Sequence, residues 1–401
     1  MTAPTTRFAL LGLLSLLSAA WAGDAPRERK KAIDRAFAYL DANLSRLPDA
    51  KGTPRKPWTY AIAGLDYLMR YPPGASRTKR GPYAKITGYL ADYVDAVEKR
   101  LQDPAVLPPR HGLASSRFLV QYTWPLSAAG LYFAEIERRG LSRAQARRSM
   151  KQIVAILADA QQSNGGWGHG RINAANKARD PFPNMKGGYP DTLLSSSNCV
   201  AICLGILDTF EGLETRDAVI RARAYFRVAQ LDNGSFPYDP SQRSSGAAKI
   251  NAGRTAGSLY AWHCLGMPRD KDFRGSAEYL ERNLEWIKEG HGSPCMNMMH
   301  GALACRMLGR ETWQRFEEMY FQRILGRQTE DGGLPCICEE AAFGVTCDSR
   351  RGGPGAGIFG LAQETYNTSL HLFVLLLDRD NLKILGRRKP GATITGSSRK
   401  R

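Results

Sequence analysis

Arg254 and Glu364 each stand at the start of an otherwise apolar run, GRTAGSLYAWHCLG (253–266) and ETYNTSLHLFVLLL (364–377). A charge entering such a run needs a partner, solvent or a ligand. The two can pair with each other, or one can meet an anion. His300 lies in CMNMMHGALAC, Asn198 in SSSNCVAICLGIL, and Tyr366 beside Asn367. An Arg or an amide that neutralises a carboxylate, beside a Tyr, His or Arg that moves a proton, is the equipment for β-elimination at an acidic sugar. His300, Tyr366 and Arg254 are therefore the candidates for chemistry. Tyr122, His169, Tyr189, Asn198, Asn297, Glu364 and Asn367 are candidates for ligand binding, with Tyr60 and Asp191 at comparable positions. Each also has a purely structural reading. His300 fits a hydrogen-bonded core histidine, His169 can stack on Trp167, and Tyr366 and Asn367 can serve as core hydrogen bonders. Asp191, just before Thr192, has the form of a helix N-cap.

Eight cysteines are present. Cys203, Cys264 and Cys305 sit in apolar helical runs, where a thiol packs as a small hydrophobe. Cys295, Cys336, Cys338 and Cys347, before a helix or in a Gly-rich loop, are the disulfide candidates. The chain has no C-x-x-C pair, and no metal or other cofactor is implied.

These residues need a frame, and a repeat supplies it. QQSNGGW (161–167), QLDNGSF (230–236) and QTEDGGL (328–334) share Gln, then Asn or Asp at +3, Gly at +4 and a large apolar residue at +6. Each closes one amphipathic helical run and precedes a second helical run. The positions are Gln161, Gly165 and Trp167; Gln230, Gly234 and Phe236; Gln328, Gly332 and Leu334. Repeated helix pairs mean stacked or closed arrays. Periodicity predicts outer helices near 27–46, 84–102, 142–161, 215–230, 273–289 and 311–327, charged on one side. It predicts inner helices near 57–70, 117–138, 192–209, 253–265, 295–308 and 364–378, apolar nearly all round. Six hairpins closing in a ring bury every inner helix, so the expected fold is all-α, an α/α toroid. Each motif then reads as a staple between outer and inner helix. Gln161 would donate to the carbonyls left open at its own helix end, glycine would make the turn, and Trp167 would fold back.

The Gln-to-Gly-to-Trp repeat resembles that of squalene and hopene cyclases, and in looser form that of protein prenyltransferase β-subunits. The resemblance covers most of 140–380. It is closest to secreted bacterial proteins carrying prenyltransferase and squalene-oxidase repeats, through GGWGHG (165–170) and GGYPDTLLSSSN (187–198). It implies the toroid with a central cavity. The catalytic Asp-x-Asp-Asp of the cyclases is missing from this sequence, and Tyr366-Asn367-Thr368 has Asn where the prenyltransferase zinc helix has His. The sequence thus predicts neither squalene cyclisation nor prenyl transfer. The Cys-Gly-Glu-Gln of complement-like thioester toroids is also missing.

Composition bounds the partners. The 401 residues are 43% hydrophobic, enough for a large core, and the net charge is +18. The charge favours an anionic glycan or lipid, or simply a well-solvated basic surface. Without a basic region interleaved with aromatics, specific nucleic-acid reading is not expected. Residues 1–22 read as a signal peptide: Arg7, an apolar stretch from Phe8 to Ala20, and Ala20-Trp21-Ala22 as cleavage site. Some 13 apolar residues are too few to span a bilayer of about 30 Å, and no transmembrane segment is expected. The expected organisation is signal peptide 1–22, toroid 23–385, and a basic disordered tail 386–401, the mature protein being secreted, periplasmic or in the cell envelope. The expected function is a cavity that binds an anionic or lipidic ligand. The alternative is a lyase-like extracellular enzyme on an acidic polysaccharide.

Overall fold

The helices are of two kinds, and the difference follows from their sequences. In Arg143–Asp159 the buried apolar positions Ala146, Met150, Ile153, Val154 and Leu157 form one stripe on an otherwise charged helix. In Leu194–Leu207 every residue except Ser195 is buried. The first kind can only lie outside, and the second must be surrounded.

The computed structural model describes residues 27–46, 55–71, 82–102, 122–170, 192–240, 251–289, 293–337, 356–377 and 382–385. We number its α-helices α1 (27–43), α2 (Arg55–Arg70), α3 (Tyr83–Gln102), α4 (Thr123–Arg138), α5 (Arg143–Asp159), α6 (Leu194–Leu207), α7 (Arg216–Ala229), α8 (Ala252–Cys264), α9 (Lys271–Arg282), α10 (Pro294–Leu308), α11 (Arg310–Leu325) and α12 (Ala356–Leu376). Odd helices are outer and even helices inner. The inner helices pack in the order α2, α4, α6, α8, α10, α12, and α12 returns to α2. That closure defines the α/α toroid expected from the sequence. Among the described residues there is no strand, and no helix is long and apolar enough to cross a membrane. Three boundaries differ from the periodicity, the first being α4, which begins at Thr123 rather than near 117. The helix α12 begins eight residues before Glu364, and α9 ends at Arg282, followed by a 3-10 turn at Leu284–Trp286.

The three motif copies form one and the same turn. The Gly165, Gly234 and Gly332 backbones have φ of 88°, 82° and 97°, in the left-handed region where a side chain is strained. Asn164, Asn233 and Asp331 each accept the N–H two residues on, at 3.0, 3.0 and 3.3 Å. The Trp167, Phe236 and Leu334 N–H groups donate to Ser197, Thr255 and Thr368 of the inner helix that follows, at 2.9, 3.0 and 2.9 Å. Trp167 is fully buried, and its indole N–H donates to the Leu157 carbonyl at 2.7 Å.

The glutamine departs from expectation. Gln161 Nε2 donates to the Gly165 carbonyl of its own turn at 2.8 Å, and to the Ala218 carbonyl on α7 at 2.9 Å. Gln230 donates to Asp272 on α9 at 2.7 Å, and Gln328 to Ala32 on α1 at 2.8 Å. The side chain therefore ties each turn to the next outer helix, while the +6 residue ties it to the inner one. A glycine is required for the same reason. A Cβ on Gly165, Gly234 or Gly332 would lie 2.3, 2.4 or 2.4 Å from the carbonyl oxygen of Arg221, Gly275 or Arg35 on that next outer helix.

Candidate functional site

The N-terminal ends of α4, α6, α8 and α10 carry most of the candidates. The loops after the motifs hold these ends in place. The His169 carbonyl accepts from Thr123 N–H at 3.1 Å, and the Tyr238 carbonyl from Leu194 N–H at 3.1 Å. His169 is half-buried, and its Nδ1 is hydrogen-bonded to Ser196 Oγ at 3.2 Å.

Asn198, Gly257 and His300 meet across three neighbouring inner helices. A Cβ on Gly257 would lie 2.6 Å from Asn198 Nδ2 and 2.9 Å from His300 Nδ1. Glycine on α8 is thus what lets the two polar groups approach. Asn198 Nδ2 donates to the Arg254 carbonyl at 3.1 Å, and Asn198 Oδ1 accepts from Ser258 at 2.9 Å. Its amide is consumed in joining α6 to α8. Asn297 behaves similarly: it packs on Gly253 and donates to the Glu289 carbonyl at 3.3 Å. His300 is buried, and burial pushes its pKa down to about 4, so the imidazole is neutral near pH 7.

Arg254 is the exception in this satisfied network. It is 5% exposed, and Nη2 donates to Asn251 Oδ1 at the start of α8. Nε is buried and has no hydrogen-bond partner. The guanidinium carbon lies 5.9 Å from the centre of the Tyr238 ring, and Tyr279 is close enough to raise its pKa. Burial lowers the pKa to about 10, which still leaves a cation at neutral pH. No described carboxylate forms an ion pair with it. Glu364, the partner considered from the sequence, is exposed and accepts from Tyr39 of α1 at 3.5 Å. The Arg254–Glu364 pair therefore does not form.

The other candidates are dispersed. Tyr366 and Asn367 are buried on α12, and Tyr122 is buried at the start of α4. Tyr60 donates to the Leu44 carbonyl at 2.8 Å. Tyr189 and Asp191 lie outside the described residues. Cys295 and Cys336, two of the four disulfide candidates, are buried. Cys295 is the second residue of α10 and is packed into the core. Cys338 and Cys347 lie outside the described residues. Among the described residues no cluster of His, Cys, Asp and Glu has a metal-holding arrangement.

Sequence reasoning missed Asn251, Tyr238, Tyr279 and Gly257. The spacing of Gly253 and Gly257, four apart on one helix face, was the available signal for a close approach.

The class defined by this ring is the α/α toroid, with alternating outer and inner helices. Among solved structures the chain is similar to the type II terpene cyclase MstE from Scytonema in its apo form. Identity is 16%, coverage 88% of this chain and 100% of that one, and the TM-score 0.45. A point variant of MstE in complex with geranylgeranyl dihydroxybenzoate, its substrate, is similar at 15% identity over 88% and 98% of the two chains, with a TM-score of 0.47. No family model matches the sequence, and no curated protein matches it.

Proposed function

We propose that this toroid binds an anionic ligand, through a carboxylate or phosphate group, at the inner-helix N-termini beside Arg254. The observation that carries the reading is the buried guanidinium with an unpartnered Nε and no described carboxylate beside it. An isolated buried cation costs several kcal/mol. An anion offsets that cost, and the net charge of +18 draws anions toward the surface. The N-terminal ends of the helices add dipoles of the right sign. The apolar stretch from Phe8 to Ala20 and the Ala20-Trp21-Ala22 site support a setting outside the cytoplasm, where acidic glycans and anionic lipids are both available.

The lyase reading receives less support. His300 is 3% exposed, and its Nδ1 is pressed against Gly257, so it has little access to a polymeric substrate. Asn198 has its amide engaged on both sides.

The test is binding of oligogalacturonate and of phosphatidylglycerol vesicles to wild type and to Arg254→Met, at low and at high salt. Binding by either probe that is lost in the variant supports the site. Salt-sensitive binding that survives unchanged in Arg254→Met puts the anion on the outer surface and overturns it. Release of an unsaturated sugar product would restore the lyase.

A further inference from the structure

Glu135 is a carboxylate with no exposed surface, three residues before the last residue of inner helix α4, Arg138. Trp124 and Leu131, on the same face at helical spacing, are the half-exposed residues of an otherwise buried stretch. Trp124 packs on Trp58 of inner helix α2, with ring centres 5.2 Å apart. Gly130 and Tyr132, on the opposite side of α4, meet Ile153 and Thr87 of the outer helices, so the Trp124–Leu131 face turns toward the axis of the ring, with Glu135 at its C-terminal end.

Both carboxylate oxygens are taken by a distant piece of chain. Oε1 accepts from Lys383 N–H at 3.1 Å and Oε2 from Ile384 N–H at 2.9 Å, where a short 3-10 helix, Lys383–Leu385, begins. Arg139 Nε completes the group with an ion pair to Oε1. Lys383 Nζ donates to the Arg138 carbonyl at 3.2 Å. Leu382 is buried, and Ile384 and Leu385 pack on the core. A carboxylate that accepts N–H groups at the first turn of a helix is well placed by charge as well as by geometry.

The placement of residues 382–385 shows what the contact does. The helix α12 neighbours α2 and α10, and α4 neighbours α2 and α6, so α2 stands between α12 and α4. Only five peptide steps separate Leu377 from Leu382. Their reach is at most roughly 17 Å. Residues 382–385 sit against the C-terminal end of α4, within that reach of the end of α12.

From this geometry we infer that residues 382–385 plug the C-terminal end of the ring, with Glu135 as the latch. Solutes then reach the axis from the end where Arg254 lies. The inference stands independently of any ligand at Arg254.

Cys264, the last residue of α8, is a reporter at the plugged end. It is 5% exposed. The test compares full-length wild type with Glu135→Gln and with Ile384→Asp. The first weakens the latch on α4. The second sets a like charge against Glu135 and leaves α4 intact. Amide exchange at Lys383 and Ile384 reads release of the segment. Labelling of Cys264 by a small maleimide, mapped by mass spectrometry, reads access. Cys305, fully buried, is the control for general unfolding. The expected result is faster exchange at both amides with at least tenfold faster labelling of Cys264 and no change at Cys305. Released amides with wild-type labelling of Cys264, or equal acceleration at Cys305, would overturn the plug. Unchanged amide exchange in both variants would overturn the latch.

Discussion

Gln328 donates its side-chain amide to the carbonyl of Ala32, 2.8 Å away and 296 positions earlier in the chain. This bond joins the last motif turn to the first helix, so the repeat that organises three of the hairpins also closes the ring. Arg35 Nη2 adds donations to the Thr329 and Glu330 carbonyls, and Arg29 Nε to the Leu375 carbonyl. The closing seam therefore rests on the same glutamine geometry as the internal seams. Gln328→Ala should cost about 1–2 kcal/mol, the range for a lost hydrogen bond that leaves a carbonyl poorly paired. Gln161→Ala should cost a similar amount. Thermal melts of the two variants check this. A loss at position 161 alone would mean that α1 is not held by the third motif.

Gly165→Ala should be worse than either. The substitution places a Cβ 2.3 Å from the Arg221 carbonyl oxygen, at a φ of 88°. Overpacking against backbone costs about 1–3 kcal/mol, and the left-handed conformation about 1–2 kcal/mol more. Trp167→Ala should cost about 3–5 kcal/mol, as for other large buried aromatics. Chemical denaturation measures both. If Trp167→Ala left stability intact, the motif would be a site rather than a staple.

Much of this frame was legible before any coordinates. Three copies of one spacing gave the turn, the glycine conformation and the burial of Trp167, because all of these are local. The glutamine's acceptor was not legible. It lies 57 residues away for Gln161 and 296 for Gln328, and nothing in the motif encodes those distances. The fifth hairpin shows the same limit. It has no glutamine motif, and its turn is held instead by Tyr320 of the next outer helix, which donates to the Leu284 carbonyl at 2.6 Å. Among site residues, Arg254 stood out because a charge in an apolar run is conspicuous. Glu135 sits in a similar run but has Arg139 four residues on, so it reads as an ordinary helix pair.

Arg254 should trade stability against binding. Removing a buried cation that lacks an anion relieves a desolvation cost. Arg254→Met should therefore melt at a higher temperature than wild type without ligand, by a few degrees. Its melting temperature should no longer rise when an anion that stabilises wild type is added. Differential scanning calorimetry with and without oligogalacturonate tests this. A ligand-free Arg254→Met variant clearly less stable than wild type would show that the guanidinium already has its partner within the fold.

Asp66 and His300 should give stability opposite slopes with pH. His300 has a pKa lowered to about 4 by burial, from an ordinary 6.5. Below pH 6.5 the unfolded chain takes up a proton that the folded one refuses, so stability falls as pH drops from 6.5 toward 4. Asp66, on α2, is completely buried, neither carboxyl oxygen has a hydrogen-bond partner, and burial raises its pKa well above 3.8. Here the folded state holds the proton more tightly, so stability falls as pH rises above 3.8 and levels off only past the raised folded value. Asp66→Asn removes the ionisation while keeping the shape. It should leave stability at low pH nearly unchanged and raise it at neutral and alkaline pH, by about 1 kcal/mol or more. His300→Gln should flatten the acid limb alone. Denaturant titrations across pH 4 to 9 separate the two. An Asp66→Asn profile parallel to wild type at every pH would mean that the carboxyl ionises freely in the folded protein, and that the seam it occupies admits water.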